Sequence, residues 1–206
     1  MSLSTYRYSD GAPTWSNSYL WPPLLRLLER HTEPGARIFE LGCGNGATAR
    51  MLVEHGYAVT GVDPSESGIS IARQFESARL RFDVGSTADD LASRFSTFPV
   101  VVSMEVIEHC PSSREYINAF RSLMSPGGIG IISTPYHAWL KTMAVVATGG
   151  FDKHFDPLWE GGHLKFFSIR KLRQLFAEAG LKSVQFVRVG RVPPLAKSII
   201  AVVRRP

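Results

Sequence analysis

The sequence predicts an α/β fold whose sheet is largely parallel and ends in an antiparallel pair of strands. Seven short apolar runs are rich in β-branched residues, which is typical of strands. Amphipathic stretches with helical periodicity lie between the earlier runs, and this alternation favours parallel strands joined by helices. The last two runs are joined only by a loop that contains Val-Pro-Pro, so we expect them to form an antiparallel hairpin.

The first five runs are almost continuously apolar, as expected for strands that helices cover on both faces. The predicted strands are residues 36–42, 58–63, 80–84, 100–105, 128–134, 183–189 and 198–204. Helix ends are predicted from capping residues, such as Ser112 or Ser113 at a start and Gly180 at an end. The predicted helices are residues 19–31, 47–55, 66–76, 168–179 and one that runs from the serine cap to residue 124.

Residues 136–163 interrupt this alternation. Long insertions are usually functional lids or disordered segments, and an aromatic-rich composition favours a lid. The segment holds large apolar side chains, which are Trp139, Met143, Phe151, Phe155 and Trp159. The four aromatic ones among them could line an apolar substrate site, or they could pack a helix against the sheet.

Length and composition predict one globular domain over residues 1–206, since 44% of the residues are hydrophobic and 20% are charged. No apolar run reaches the length of about 18 residues that spans a membrane. The first residues show no secretory signal. Two cysteines, Cys43 and Cys110, make no disulfide framework, so a reducing, cytoplasmic setting is expected.

The formal net charge of +5 is mild. It could favour anionic substrates or peripheral contact with a membrane surface. No basic stripe with interleaved aromatic residues is visible, which argues against nucleic acid as a partner. Composition leaves the oligomeric state open.

A glycine-rich loop, "FELGCGNGATA", follows the first predicted strand and opens a helix. Gly42, Gly44 and Gly46 let the backbone approach a ligand, and helix-start N–H groups face that ligand. Asp63 stands 21 residues after Gly42, where an acid can hold the two hydroxyls of a ribose. The loop also fits a dinucleotide fingerprint, but Glu40 would suit an amino-acid-bearing nucleoside better than a pyrophosphate.

Four motifs together resemble the class I S-adenosylmethionine (SAM)-dependent methyltransferases: "FELGCGNG", "GVDPS", "MEVIEH" and "LMSPGGIGIISTP". The resemblance implies a Rossmann-like, doubly wound sheet of seven strands. It also implies that SAM is the cofactor. The cofactor-binding residues would be Glu40, Gly42 and Gly44 for the methionine part, Asp63 for the ribose, Pro64 and Ser65 beside the adenosine, Gly85 and Ser86 for the adenine, and Met104 near the sulfonium.

A carboxylate–histidine cluster follows the fourth predicted strand. If the chain turns helically there, Glu105, Glu108 and His109 share one side. Such a set can bind Mg²⁺ or Mn²⁺, and the imidazole favours Mn²⁺. The segment could equally be a solvated helix start in which these side chains only cap or hydrogen-bond.

Glu-x-x-Glu-His at this place resembles two methyltransferase subfamilies, the ubiquinone-biosynthesis O-methyltransferases and the small-RNA 3′-terminal 2′-O-methyltransferases. Both imply a metal that holds two adjacent acceptor oxygens, and both carry a later histidine, which His163 matches. The implied metal ligands are Glu105, Glu108, His109 and His163. His109 or His163 could instead act as the catalytic base.

We therefore expect SAM-dependent O-methylation of a small hydroxylated acceptor, catechol-like or prenylated, with assistance from a divalent metal. Three alternatives stay open at this point. They are 2′-O-methylation of an RNA 3′ end, a nicotinamide-dependent oxidoreductase, and a SAM-binding module without catalysis.

Overall fold

The computed structural model of the chain describes residues 7–137, 139–150 and 162–206. Its centre is a seven-stranded sheet with the strand order β3-β2-β1-β4-β5-β7-β6. The strands are β1 (Arg37–Leu41), β2 (Ala58–Asp63), β3 (Leu80–Val84), β4 (Phe98–Met104), β5 (Met124–Pro135), β6 (Lys182–Val189) and β7 (Ser198–Arg204).

The strand pairing confirms the predicted topology. Strands β1 to β5 pair in parallel, whereas β7 runs antiparallel to both β5 and β6. The strand order reverses between the neighbouring strands β1 and β4, which makes their carboxyl ends the switch point of the sheet. In open α/β sheets the ligand crevice lies at this point. The glycine-rich loop after β1 and the carboxylate–histidine cluster after β4 are thus adjacent.

The predicted helices are present, and serine side chains cap three of them, including the predicted cap at Ser112. Ser65, Ser112 and Ser168 each accept a hydrogen bond from a backbone N–H in the first turn. The helices are α1 (Asn17–His31), α2 (Ala47–Glu54), α3 (Glu66–Ala72), α4 (Leu91–Phe95), α5 (Ser113–Leu123), α6 (Trp139–Ala147) and α7 (Ile169–Glu178).

Helix α4 and strand β5 differ from the sequence prediction for identifiable reasons. Helix α4 has only five residues and buries Leu91 alone, so it leaves no periodic apolar pattern. Strand β5 begins at Met124, four residues before the predicted start at residue 128, because Met124 pairs with Phe98 across a register shift. Pro99 lies within that shift, and a proline cannot donate the ladder hydrogen bond at its position.

The core lies on both faces of the sheet. In β4, Val101 packs into the cluster that includes Phe120 and Phe176 of α5 and α7. Its neighbours Val100 and Val102 pack into the opposite cluster, which α1, α2 and α3 cover. The continuous apolar run of β4 therefore packs against helices on both faces of the sheet. Within the residues that the structure describes, no helix is both long enough and apolar enough to cross a membrane.

Replacing Gly130 by alanine is expected to lower the free energy of unfolding by about 1 to 3 kcal/mol, since it overpacks the core. A Cβ there would lie 2.5 Å from Phe120 Cε1 and 2.8 Å from Val203 Cγ2. Urea denaturation measures the change. The control is Gly150→Ala, where the nearest atom is Thr148 Oγ1 at 3.5 Å and the expected change is below about 0.5 kcal/mol. Equal losses in both variants would contradict the packing argument.

Candidate active site

The loop between β1 and α2 needs glycine at each of its three glycine positions. Gly42, Gly44 and Gly46 have φ angles of 81°, 54° and 76°, which side chains rarely adopt. A Cβ on Gly42 would also lie 2.9 Å from Val106 Cγ1 and closer still to Cγ2. The loop therefore lies directly against the turn that follows β4.

Asp63 ends β2 and fixes the same loop from the other side. Its Oδ2 accepts a hydrogen bond of 2.9 Å from Gly44 N, and its Oδ1 accepts one of 2.8 Å from Ser65 N. Burial raises the pKa of this carboxyl, and the two N–H donors oppose the rise. A carboxylate oxygen has two acceptor sites, so each oxygen can still accept a hydrogen bond from a ribose hydroxyl.

Glu40 is a buried acid beside the loop, with only 2% of its surface exposed. Among the described residues its Oε2 has no hydrogen-bond partner. Burial raises the pKa of Glu40 well above its ordinary value, the charge of Asp63 adds to this, and the backbone of Ala49 opposes it. A buried acceptor without a hydrogen-bond partner is unusual in a folded protein, and the cationic amino group of a bound ligand would be a suitable donor to it.

The other expected cofactor residues follow the carboxyl ends of β2, β3 and β4. Pro64 is exposed between Asp63 and the buried Ser65, and Gly85 N donates to Asp63 O at 3.1 Å. Ser86 N donates to Asp89 Oδ2 at 2.7 Å in the turn after β3. Met104 is half-buried at the end of β4. These residues and the glycine loop share the carboxyl edge of the sheet.

Glu105 is held firmly at the switch point. Its φ of 55° is unusual for a residue with a side chain. Its N–H donates to Ser133 Oγ at 2.9 Å, and its carboxylate accepts hydrogen bonds from Ser133 Oγ at 2.7 Å and Ser198 Oγ at 3.1 Å. Burial raises its pKa to about 7, which those two hydroxyls and the charge of Lys141 oppose.

Glu108, His109 and His163 converge next to Glu105. Each offers one ligand atom, and these atoms lie within 4.8 Å of one another. The His109 and His163 ring centroids are 5.0 Å apart. The N–H groups of Leu164 and Lys165 donate to Glu108 O at 2.8 and 3.1 Å, which brings the later histidine to the turn after β4. Glu105 does not belong to this group of atoms.

Glu108 has no exposed surface, and within the described part of the chain neither of its carboxylate oxygens has a hydrogen-bond partner. Burial raises its pKa well above the ordinary value, and the charge of Glu105 adds to this. The nearby Thr134 hydroxyl opposes the rise, although it lies outside hydrogen-bond geometry. The site therefore contains a desolvated carboxyl beside two imidazoles.

Comparison with known proteins decides the family. A sequence profile described as a methyltransferase domain matches residues 15–185. The chain belongs to this methyltransferase family. The sequence prediction of a SAM-dependent methyltransferase is thereby confirmed, and the dinucleotide interpretation of the glycine loop is set aside.

Two relatives of this methyltransferase carry the name ubiquinone biosynthesis O-methyltransferase. The protein from Roseobacter denitrificans is 40% identical over 154 residues, which cover 73% of this chain and 61% of the relative. The protein from Coxiella burnetii is 28% identical over 193 residues, which cover 85% of this chain and 80% of the relative. The match to the first relative therefore spans less than two thirds of that protein's length.

A solved structure shares the fold. The magnesium protoporphyrin IX methyltransferase from Synechocystis PCC 6803, with bound SAH, superposes with a TM-score of 0.69 at 19% identity. The match covers 97% of this methyltransferase and 91% of that chain. At this identity the likeness concerns the architecture, and it agrees with the predicted Rossmann-like, doubly wound sheet.

Sequence analysis missed several residues of the methyltransferase site. The Tyr19 hydroxyl lies 3.3 Å from Ser198 Oγ. Because the Ser198 hydroxyl donates its proton to Glu105, Tyr19 is the donor in its hydrogen bond with Ser198. Burial raises the pKa of Tyr19, and the charges of Glu105 and Glu108 add to this. Ser133 could have been predicted from the sequence, because its hydroxyl stands at the carboxyl end of an apolar strand. Tyr19 and Ser198 are distant in sequence from Glu105, and only the folded structure brings them to the site.

Replacing Glu40 by Gln is expected to stabilise the ligand-free methyltransferase at pH 8 more than at pH 5, by about 1 kcal/mol. The pKa of Glu40 is higher in the folded state than its ordinary value of 4.5. The contribution of this carboxyl to wild-type stability is therefore fully present below pH 4.5, and it is lost as the pH rises toward the folded-state pKa. Urea denaturation at both pH values measures the difference.

The control for this prediction is Glu33→Gln, at an exposed acid shortly before β1. Its effect should be the same at both pH values, because this side chain is exposed to solvent in the folded protein as it is in the unfolded chain. A Glu40→Gln variant whose stability relative to the wild-type protein falls as pH rises would contradict the burial argument.

Proposed function

We propose that this methyltransferase transfers the methyl group of SAM to a hydroxyl oxygen of a small acceptor, catechol-like or prenylated, with the assistance of a divalent cation. The observation that carries the metal-assisted form is the buried carboxyl of Glu108, without hydrogen-bond partners among the described residues, beside His109 and His163. The names of the relatives support oxygen as the atom methylated.

The residues at the carboxyl ends of β1 and β2 fit SAM. Glu40 would accept from its amino group, the backbone of Gly42 and Gly44 would lie along its methionine part, and Asp63 would bind the ribose. Pro64, Gly85 and Ser86 would lie around the adenosine, and Met104 would lie near the sulfur. When bound, SAM supplies a methyl group on a positively charged sulfur, so the protein must mainly align the acceptor oxygen.

The three clustered side chains also fit a divalent cation. One carboxylate and two imidazoles suit Mn²⁺ or another transition metal better than Mg²⁺. When bound, such a cation would lower the pKa of a hydroxyl that it contacts. Glu105, the fourth ligand that the sequence resemblance implied, is bound by Ser133 and Ser198 and lies beside the cluster.

The two histidines are also the candidates for taking the acceptor proton. His109 Nδ1 lies 3.2 Å from Gly162 O. A proton on Nδ1 satisfies this contact and makes Nε2 the basic nitrogen. His163 packs edge-on against the same ring, so either imidazole could take the proton of a hydroxyl bound beside the cluster.

An apolar groove between α6 and the loop before β7 supports an acceptor with a hydrophobic part. Its volume is about 530 Å³, and its lining has no polar surface. It is lined by Leu140, Met143 and Ala147 of α6 and by Val192, Pro194 and Leu195 before β7. Helix α6 also carries Lys141, whose charge lowers the pKa of Glu105, so this helix bears both apolar lining of the groove and a cation that acts on Glu105.

The single domain and the lid over residues 136–163 stay predictions. Of this segment the structure describes residues 136–137, 139–150 and 162–163, whereas Phe151, Phe155 and Trp159 lie outside the described residues. Trp139 and Met143 are exposed by 72% and 59%, so they do not pack against the sheet in this structure. Both cysteines are free, in keeping with the expected cytoplasmic setting, which likewise stays a prediction.

The decisive experiment measures transfer of a labelled methyl group from SAM to catechols, prenylated phenols and short RNA, with Mn²⁺ or Mg²⁺ and with a chelator. We expect transfer to the phenolic acceptors. Transfer to the RNA 3′ end alone would replace the small-molecule acceptor. SAM binding without transfer to any acceptor, unaffected by substitution of Glu108 or His109, would indicate a binding module.

Replacing Glu108 by Gln is expected to lower kcat/KM at least about tenfold and to weaken Mn²⁺ binding, because it removes the charged ligand of the cluster. Calorimetric titration with Mn²⁺ gives the second readout. Glu115→Gln, at an exposed acid in the first turn of α5, is the matched control and should change neither. Activity that withstands both the chelator and the Glu108→Gln substitution would overturn metal assistance and leave a histidine as the base.

A further inference from the structure

A short segment before α1 crosses over the glycine loop. We call residues 8–12 the N-terminal strap. Asn45 of the loop donates from Nδ2 to Asp10 O and to Ala12 O, both at 2.9 Å. The strap is thus hydrogen-bonded to the same loop whose backbone is expected to hold the cofactor.

Two further elements around the loop hold the strap. Tyr8 N donates to Ser67 Oγ at 3.2 Å, which connects the strap to α3. The Arg50 guanidinium of α2 donates to Gly11 O and stacks 3.9 Å above the Phe75 ring centroid. The strap therefore contacts α2 as well as the loop and α3, and Asp63 accepts hydrogen bonds from Gly44 of that loop and from Ser65, the N-cap of α3.

The Tyr8 ring occupies a space that two glycines leave open. A Cβ on Gly44 would lie 2.7 Å from Tyr8 Cζ and closer still to the hydroxyl. A Cβ on Gly68 would lie 2.8 Å from both Tyr8 Cδ2 and Gly44 O. Gly68 lies inside α3 and has no left-handed φ, so backbone conformation does not require a glycine there. Glycine weakens a helix by about 1 kcal/mol relative to alanine, and close packing of the ring and the loop explains its presence.

We propose that Tyr8 is a cofactor-binding residue and that the N-terminal strap closes over bound SAM, so that opening of the strap limits cofactor and product exchange. The proposal rests on the cofactor placement given under the proposed function. Gly44, which the ring covers, donates its N–H to the ribose-binding Asp63. A ligand that orders this loop therefore also orders the surface on which Tyr8 lies.

The composition of the strap suits a segment that opens locally. Ser9, Asp10 and Ala12 are exposed, and polar contacts to Asn45, Ser67 and Arg50 hold the strap in place. Segments with few buried apolar contacts open at a free energy far below that of global unfolding. Closure over the site would exclude water from the sulfonium and from the acceptor oxygen.

The test compares Tyr8→Ala and Arg50→Ala with Ser9→Ala, a strap substitution that removes only a contact to the neighbouring Asp10. SAM affinity is measured by calorimetry, and SAM release by stopped-flow displacement with excess unlabelled SAH. We expect release to be about fivefold faster or more in the first two variants and unchanged in the third. Circular dichroism verifies that each variant is folded.

Limited trypsin digestion gives a readout that needs no substitution. Cleavage after Arg7 should slow when SAM is present, because closure shields the bond to Tyr8. Wild-type protein that fails to bind SAM would overturn the cofactor assignment, and the strap proposal with it. Normal SAM binding with equal release rates in all variants, or with no protection of Arg7, would overturn the strap proposal alone.

Discussion

The contact between Gly42 and Val106 is the constraint on which the site depends. The parallel register places Glu40 beside Val102, so the chains leaving β1 and β4 emerge side by side. Only a glycine at position 42 lets the Val106 side chain fill the space between the two loops. This contact sets the distance between the glycine loop and the turn that carries Glu108 and His109. A shift of either loop would separate the proposed cofactor site from the proposed metal site.

The second organising feature is the number of acids gathered at one edge of the sheet. Glu40, Asp63, Glu105 and Glu108 are all desolvated, and burial raises the pKa of each. Without ligands, their mutual repulsion and desolvation oppose folding. The amino group of SAM and a divalent cation both carry positive charge, so each would relieve part of this strain on binding. The geometry thus favours ligand binding at some expense of stability in the free protein.

Much of the fold could be predicted because it is encoded by local patterns. Continuous apolar runs predicted the strands, a serine cap predicted the start of α5, and Gly180 predicted the end of α7. Glycine spacing located the cofactor loop. Contacts distant in sequence left no such pattern: Tyr8 meets Ser67 across 59 positions, Ser198 meets Glu105 across 93, and Tyr19 meets Ser198 across 179. The resemblance to known methyltransferases supplied His163, whose approach to His109 no local rule predicts.

The position of β7 has a consequence for how the site is assembled during synthesis. This strand is the last of the sheet in chain order, yet it lies between β5 and β6. A nascent chain that has emerged only through β6 therefore has a gap in its sheet and exposes two unpaired strand edges, which are prone to association with other chains. It also lacks Ser198, so Glu105 has one hydroxyl donor instead of two. Contacts of the glycine loop can form early, whereas the hydrogen bonds around Glu105 are complete only when β7 inserts.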